Sequence, residues 1–241
     1  MLELLLRPDA WVAFVTLSLM EVVLGLDNLV FIAILVGKVK DPTERDRLRT
    51  IGLVIALVAR LGLLFGISLV MGLKQDLFAL FGIGISGRDL ILLGGGLFLI
   101  VKATHEIYAR VEGVDEQAPT SAAVSTQRQA AAILLQIVVI DLVFSLDSVI
   151  TAVGMANEVP VMVAAMFVAV GTMLFFAKSI GAFVEEHPSV KILALSFLLL
   201  IGTLLVAEAI DQHVSKGTIY FAMAFSLGVE LLNIRFRRKQ G

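Results

Sequence analysis

The chain has 241 residues, of which 59% are hydrophobic and 17% charged, with a formal net charge of −2 and a mean hydropathy of +0.97. A soluble domain of this length would need more polar residues to cover its surface, so the composition predicts a polytopic helical membrane protein. The sequence has no cysteine. This excludes disulfides, iron–sulfur clusters, thiolate ligation of metals and a cysteine nucleophile.

Seven apolar stretches each approach the ~20 residues that a tilted helix needs to cross a bilayer. Helices are required because the backbone polar groups of a segment in lipid must be satisfied within that segment. The first stretch is too long for a cleaved signal peptide. We therefore predict an all-α protein with membrane spans at 11–37, 50–73, 89–108, 130–156, 161–184, 190–209 and 218–235.

The connections between the spans divide the chain into two halves. The link at 74–88 is partly apolar, and we expect it to lie in the membrane interface or to re-enter the bilayer. The most polar stretch falls at the midpoint and is the one plausible linker. The predicted units are a first three-helix repeat (1–108), a cytoplasmic linker (109–129), a second, inverted three-helix repeat (130–213), and a seventh helix with a basic tail (214–241).

Lysine and arginine predict the orientation in the membrane. Thirteen of them fall on one side of the predicted spans and four on the other. The side richer in lysine and arginine is normally cytoplasmic. We expect a multi-pass protein of the cytoplasmic (inner) membrane, with its N-terminus outside and its C-terminus in the cytoplasm.

One charged pattern occurs twice, inside the first and the fourth predicted span. Residues 21–28 and 141–148 each begin with a carboxylate and carry an aspartate six positions later. Ionisable groups in hydrocarbon are costly, so a repeated pattern of them indicates function. The candidate ion-handling residues are Glu21, Asp27, Asn28, Asp141, Asp147 and Ser148.

The spacing of the two motifs makes them antiparallel. Three spans, an odd number, lie between the start of the first motif helix and the start of the second, so these helices enter from opposite faces of the membrane. The resulting inverted repeat of three plus three helices, with a site at the midplane, is a recurring architecture of secondary transporters. A basic residue in the second helix of each half, Arg60 and Lys178, repeats at nearly the same interval.

Helix geometry predicts a break in each motif. On a regular helix, Glu21 and Asp27 lie about 120° apart around the axis and ~9 Å apart along it, too far to close on one small ion. Glycine permits helix breaks, and serine can bond carbonyls that a kink sets free. We therefore predict that the helices unwind or kink at Gly25 and Ser145.

The donor set consists of carboxylate, amide and hydroxyl oxygens, which suit the hard cations Mg²⁺, Ca²⁺ and Mn²⁺. Four carboxylates carry more charge than one dication, so protons, or Arg60 and Lys178, would balance the surplus. Proton exchange is a natural hypothesis for the counter-ion. His105 and Glu106 are candidates for an interfacial anchor, a gate or a proton relay, and Glu208 is a candidate for a secondary role.

The two motifs, together with Lys102-Ala-Thr-His105-Glu106 at the end of the third span, resemble the TerC family of integral membrane proteins over residues 1–235. That family is grouped with the lysine-exporter and cation-exchanger superfamily, and its bacterial members are associated with Mn²⁺ export. The resemblance implies that the six motif residues handle the ion and that Mn²⁺ is the transported cation. The oxygen inventory alone would allow Ca²⁺ or Mg²⁺.

Other interpretations remain open at this point. The motif acids could form structural ion pairs with Arg60 and Lys178, and the glycines at 94–96 fit close helix packing better than a phosphate loop. The protein could be a membrane scaffold or metallation partner that supplies Mn²⁺ to secreted enzymes. A membrane hydrolase and an amino-acid exporter fit the motifs less well. We expect no enzymatic activity, organic cofactor or nucleic-acid partner, and the sequence does not predict the oligomeric state.

Overall fold

The computed structural model describes residues 7–39, 41–80, 83–113, 126–155, 158–212 and 214–237. The predicted linker 109–129 lies largely outside the described residues. The helices are α1 (Pro8–Val36), α2 (Pro42–Phe65), α3 (Ile67–Gly72), α4 (Gly87–Val111), α5 (Thr126–Met155), α6 (Val159–Glu186), α7 (Pro188–Ala209) and α8 (Lys216–Arg237), and the strands are β1 (Asp76–Leu80) and β2 (Ile83–Ser86).

Seven of these helices are long and apolar enough to cross a membrane: all but the short α3. The prediction of an all-α polytopic membrane protein with seven spans is confirmed. The prediction of the second span at 50–73 is wrong in its bounds, since the helix begins and ends earlier in the chain. Its helix begins at Pro42, because Asp41 accepts a hydrogen bond from the backbone N–H of Thr43 at 3.0 Å, and it ends at Phe65 before Gly66.

The link between α2 and α4 contains an antiparallel hairpin of β1 and β2, in which Phe78 pairs with Ile85. Leu77 and Phe78 are exposed on it. The sequence predicted an interfacial or re-entrant segment without this secondary structure. A hairpin satisfies part of its backbone by strand pairing, which is the alternative to a helix for a short segment at the membrane surface.

Helices of the two halves pack against one another rather than within each half. The most extensive contacts join α1 with α6, α2 with α5, and α4 with α7. These pairings are those that an inverted repeat would produce, since exchanging the two halves turns the first pair into the second and the third pair into itself. The inverted repeat itself stays a prediction.

The contact between α4 and α7 is close enough to bring the two backbones together. A Cβ added at Gly96 would lie 2.7 Å from the carbonyl oxygen of Gly202, and one added at Gly202 would lie 2.9 Å from the carbonyl oxygen of Gly96. A Cβ at Gly95 would meet Val143 of α5 at 2.5 Å. The prediction that this glycine stretch serves helix packing is confirmed for these two positions.

Charged side chains gather at the two ends of the helix bundle. At one end, here called the basic face, Lys38 and Arg110 bind Glu106 at 2.7 and 3.3 Å, and Arg45 binds Glu185 at 2.6 Å. These ion pairs tie the α1–α2 turn to the ends of α4 and α6. The basic face thus contains residues that the count of lysine and arginine assigned to the same side of the membrane. The orientation of the termini stays a prediction.

The opposite end, here called the hairpin face, carries the β-hairpin and fewer basic residues. Arg7 binds Asp9 at 2.5 Å and Glu158 at 3.3 Å, which joins the start of α1 to the start of α6. The hydrogen bond from Arg7 to the Asp9 carboxylate raises the pKa of the guanidinium, so this arginine stays charged. Arg88, at the start of α4, lies at the same face.

Candidate functional site

The first residues of the two motifs meet in the centre of the bundle. Arg60 of α2 donates from Nη1 to Glu21 Oε2 at 2.6 Å and from Nη2 to Asp141 Oδ1 at 2.6 Å. All three side chains are buried, with 5% exposure or less. Glu21, Asp141 and Arg60 therefore form a central ion triad with one net negative charge, built from α1, α5 and α2.

Residues of both motifs surround the Asp141 carboxylate. Asn28 Nδ2 donates to Asp141 Oδ1 at 3.2 Å, and Ser145 Oγ donates to Asp141 Oδ2 at 3.1 Å. Arg60 also donates from Nε to Asp141 Oδ1 at 3.1 Å. Both oxygens of this carboxylate thus accept hydrogen bonds from described donors.

The Glu21 carboxylate receives fewer described hydrogen bonds than the Asp141 carboxylate. Ser148, which occupies in the second motif the place of Asn28 in the first, donates to the carbonyl oxygen of Ser145 at 3.3 Å instead of reaching a carboxylate. Within the described part of the chain, Glu21 Oε1 and Asn28 Oδ1 are buried oxygens that receive no hydrogen bond. Buried acceptors are normally satisfied, so these two oxygens are candidates for binding a cation or a hydrogen-bond donor.

The side chains of Asp27 and Asp147 lie outside the described residues. Their backbones belong to α1 and α5. Among the described side chains, the structure contains no group of three acidic or histidine residues that could hold a metal ion.

The unwinding predicted at Gly25 and Ser145 is wrong, because both motif helices are continuous there, while a kink at these positions stays a prediction. The helix α1 runs through Gly25 from Pro8 to Val36, and α5 runs through Ser145 from Thr126 to Met155. Gly25 has a packing role instead, because a Cβ there would lie 1.9 Å from Cε of Met173 on α6. Ser145 is fully buried and bonds Asp141. The small residues at these positions admit a neighbouring side chain and a hydrogen bond within an intact helix.

Replacing Gly25 by alanine tests this packing role. The new methyl group overlaps the end of the flexible Met173 side chain, so we expect a loss of about 1–2 kcal/mol in the free energy of unfolding. In a Met173→Ala background the methyl group has room, and the same substitution should be neutral or stabilising because alanine favours helix over glycine. Unfolding in mixed micelles measures the change in the free energy of unfolding in each of the two backgrounds. An equal loss in the two backgrounds would contradict packing against Met173.

The two basic residues that repeat in the sequence have different environments. Arg60 is buried in the central triad, whereas the side chain of Lys178 is 84% exposed and lies 4.0 Å from Asp46 near the basic face. The expectation that Lys178 balances the charge of the buried motifs is wrong. On α6, position 178 lies only eight residues, ~12 Å, from the helix end at the basic face, so its long side chain reaches the polar region.

The other candidate residues lie at the two faces. Glu106 is buried in its ion pairs with Lys38 and Arg110, and His105 beside it is exposed. Neither belongs to the central triad. Glu208 lies at the hairpin face, where its Oε2 is 3.6 Å from Nη2 of Arg88.

A cavity of about 50 Å³ adjoins the central triad. Its polar lining comes from Arg60 of the triad, from Asn28 and Ser148 of the motifs, and from Glu208 and Tyr220 of α7 and α8. The lining residues are Leu24, Asn28, Arg60, Phe144, Ser148, Ile201, Leu204, Leu205, Glu208, Ile219 and Tyr220. The cavity therefore links residues of both motifs to Glu208.

Arg49 is a buried charge that sequence reasoning missed. It was counted only as a basic loop residue, yet its side chain is 6% exposed and binds Asp46 at 3.0 Å. Gly181 of α6 makes room for it, because a Cβ there would lie 2.8 Å from Arg49 Nη2. The sequence holds no signal for this contact, since the two residues are distant in the chain and belong to no motif.

Comparison with known proteins agrees with the two motif helices and the seven spans. The model of the integral membrane protein TerC family matches residues 6–240. The chain belongs to the TerC family. As a TerC-family protein it is a multi-pass integral membrane protein, and the resemblance inferred from the motifs is confirmed.

The names of three relatives of this TerC-family chain state no activity, and two of the names state a location in the inner membrane. A UPF0053 protein of Haemophilus influenzae is 50% identical over 238 residues, which cover 99% of both chains. The UPF0053 inner membrane protein YgdQ of Escherichia coli is 52% identical over 96% of this chain and 95% of that protein. The Escherichia coli protein YoaE is 46% identical over 98% of this chain, which spans 45% of YoaE. No solved structure matches the chain.

Proposed function

We propose that this TerC-family protein exports a divalent metal cation, with Mn²⁺ as the substrate, across the inner membrane by alternating access. In this proposal the two inverted motifs supply the ion site near the membrane midplane, and protons are the counter-ion. Support for the location comes from the names of YgdQ and YoaE, both described as inner membrane proteins. Support for the chemistry comes from the buried residues of the motifs.

The observation that carries the proposal is the pair of buried oxygens without a described donor, Glu21 Oε1 and Asn28 Oδ1. A carboxylate and an amide oxygen are ligands that a hard cation prefers. Asn28 also lines the cavity beside the triad. A cation there would satisfy acceptors that burial otherwise makes costly.

The charge balance points the same way. Arg60 compensates only one of the two carboxylates in the central triad, so one net negative charge stays buried among the helices. Uncompensated charge in a low-dielectric interior is strongly unfavourable. A divalent cation offsets this charge, and the carboxylates of Asp27 and Asp147 would complete its ligand shell. Proton binding by the same acids would offset the charge when the metal has left.

Metal flux into proteoliposomes tests the proposal. We expect Mn²⁺-dependent quenching of an enclosed dye with the unchanged protein, and a flux at least about tenfold lower for Asp27→Asn and Asp147→Asn, since the loss of a ligand typically costs that much or more. Glu44→Gln removes an acid at the basic face, away from the triad, and should change the flux by no more than about twofold.

Two results would contradict this function. Unchanged flux in both aspartate variants would exclude the motifs as the transport site. Absence of flux from the unchanged protein, with Mn²⁺ binding retained in electron paramagnetic resonance titrations, would favour a metallation partner over a transporter.

A further inference from the structure

A second hollow lies at the hairpin face, outside the cavity of the motifs. Its volume is about 420 Å³, and five of its eight lining residues are charged. The lining residues are Lys74, Asp76, Gly84, Ser86, Arg88, Asp89, Ile150 and Asp211. This outer hollow is formed by the hairpin, the start of α4, and the residues after α7, with one contribution from α5.

The cavity and the outer hollow are neighbours with no lining residue in common. Ser148 lines the cavity and Ile150, two residues later on α5, lines the outer hollow. Glu208 lines the cavity and Arg88 lines the outer hollow, and these two side chains approach to 3.6 Å. Arg88 and Glu208 are 22% and 13% exposed, so the ion pair lies in the wall between the two spaces.

The two residues are held by helices that are in backbone contact. The α4 and α7 helices meet at Gly96 and Gly202, and from there about 12 Å of α4 leads to Arg88 and about 9 Å of α7 leads to Glu208. Ser86 and Asp89 form a reciprocal cap that fixes the first turn of α4 next to Arg88. The ion pair therefore joins the ends of two helices whose backbones are in contact about two turns away.

We propose that the Arg88–Glu208 ion pair is a gate between the cavity and the hairpin face. At 3.6 Å the pair is an ion contact rather than a hydrogen bond, and Nη1 of Arg88 also lies 3.8 Å from Asp89 Oδ1, so the guanidinium has a second carboxylate within reach. A divalent cation that reaches Glu208 from the cavity competes with the guanidinium for the same carboxylate and repels Arg88. The competition between a divalent cation and Arg88 rests on the proposed function, whereas closure of the cavity by the ion pair does not.

Because the chain has no cysteine, a single introduced cysteine can report access to the cavity. Leu204→Cys places a thiol on the cavity wall, one turn of α7 before Glu208. The probe is a cationic, membrane-impermeant methanethiosulfonate, applied separately to right-side-out and inside-out vesicles. The rate at which this introduced thiol is labelled measures how open the cavity is to each side.

We expect Arg88→Gln or Glu208→Gln to raise the labelling rate from the hairpin face about tenfold, and the exchange Arg88→Glu with Glu208→Arg to bring it back towards the original rate. Lys74→Gln is the matched control, since it also removes a positive charge from the outer hollow but leaves the pair intact, and its rate should stay within about twofold.

An unchanged labelling rate in both single variants, or an equal rise with Lys74→Gln, would overturn the gate. Size-exclusion profiles of the purified variants identify any that has lost its fold. If a single variant has done so, the labelling rate of the charge-exchange variant tests the gate in its place. Labelling requires no metal transport, so the gate and the proposed function fail independently. Accelerated labelling without any Mn²⁺ flux would support the gate and reject the transport of Mn²⁺.

Discussion

Replacing Arg60 by alanine is expected to lower the free energy of unfolding by about 3–5 kcal/mol, the usual cost of removing one partner from a buried ion pair. Arg60 makes short hydrogen bonds to both Glu21 and Asp141, at 2.6 Å each. Its loss leaves two carboxylates buried together without a cation, which is strongly unfavourable in a low-dielectric interior. Unfolding in mixed micelles, followed by circular dichroism, measures the loss.

Lys178→Ala is the control for this prediction, because the sequence pattern pairs it with Arg60 while the structure separates them. Lys178 is 84% exposed and lies 4.0 Å from Asp46, so its removal should cost no more than about 1 kcal/mol. Equal losses in the two variants would contradict the central triad. Combining Arg60→Met with Glu21→Gln and Asp141→Asn should restore much of the stability, since the uncompensated charges are then removed with their partner.

The contrast between these two residues shows how far the sequence pattern predicts the site. Both follow an alanine in the second helix of their half, and pattern alone placed both in the membrane interior. Periodicity measures position along a helix, but it does not reveal where the helix meets the polar region or which neighbours flank a side chain. Burial of Arg60 depends on α1 and α5, whose contacts are not encoded near residue 60.

The fold was more predictable than the site because the bilayer constrains it strongly. Length and hydropathy predicted seven spans, since apolar segments in lipid must be helical and of a minimum length. The predicted bounds were wrong where a helix has a polar end. The second helix begins at Pro42 rather than at residue 50, because its first two turns are charged and apolarity could not identify them.

Within the site, the sequence predicted part of what the structure shows. Glu21, Asn28 and Asp141 are brought together, but Ser148 bonds a backbone carbonyl, and Ser145, which was predicted only as a helix break, bonds Asp141. The prediction of unwound helices rested on the assumption that both acids of a motif must face one ion. The structure places Gly25 against Met173 instead, a contact between helices more than a hundred residues apart in the chain.

The second large effect is expected at the crossing of α4 and α7. Gly96→Val should lower the free energy of unfolding by about 3 kcal/mol or more, at the upper end of the cost of overpacking. Even a single Cβ at this position would lie 2.7 Å from the carbonyl oxygen of Gly202 and 3.1 Å from the backbone nitrogen of Val206. Backbone atoms cannot move aside as a flexible side chain does, so the two helices must separate.

Gly94→Ala, two residues away on the same helix, is the matched control. Nothing lies within 4 Å of a Cβ at that position, so the substitution should stabilise the protein by up to about 1 kcal/mol through the higher helix propensity of alanine. If both variants lose stability equally, the glycines act through backbone flexibility and not through close approach.

Separation of α4 from α7 would also move Arg88 away from Glu208. In the Leu204→Cys background, Gly96→Val should therefore accelerate labelling of the introduced thiol as breaking the ion pair does. Stability and access to the cavity would then depend on the same crossing of two helices.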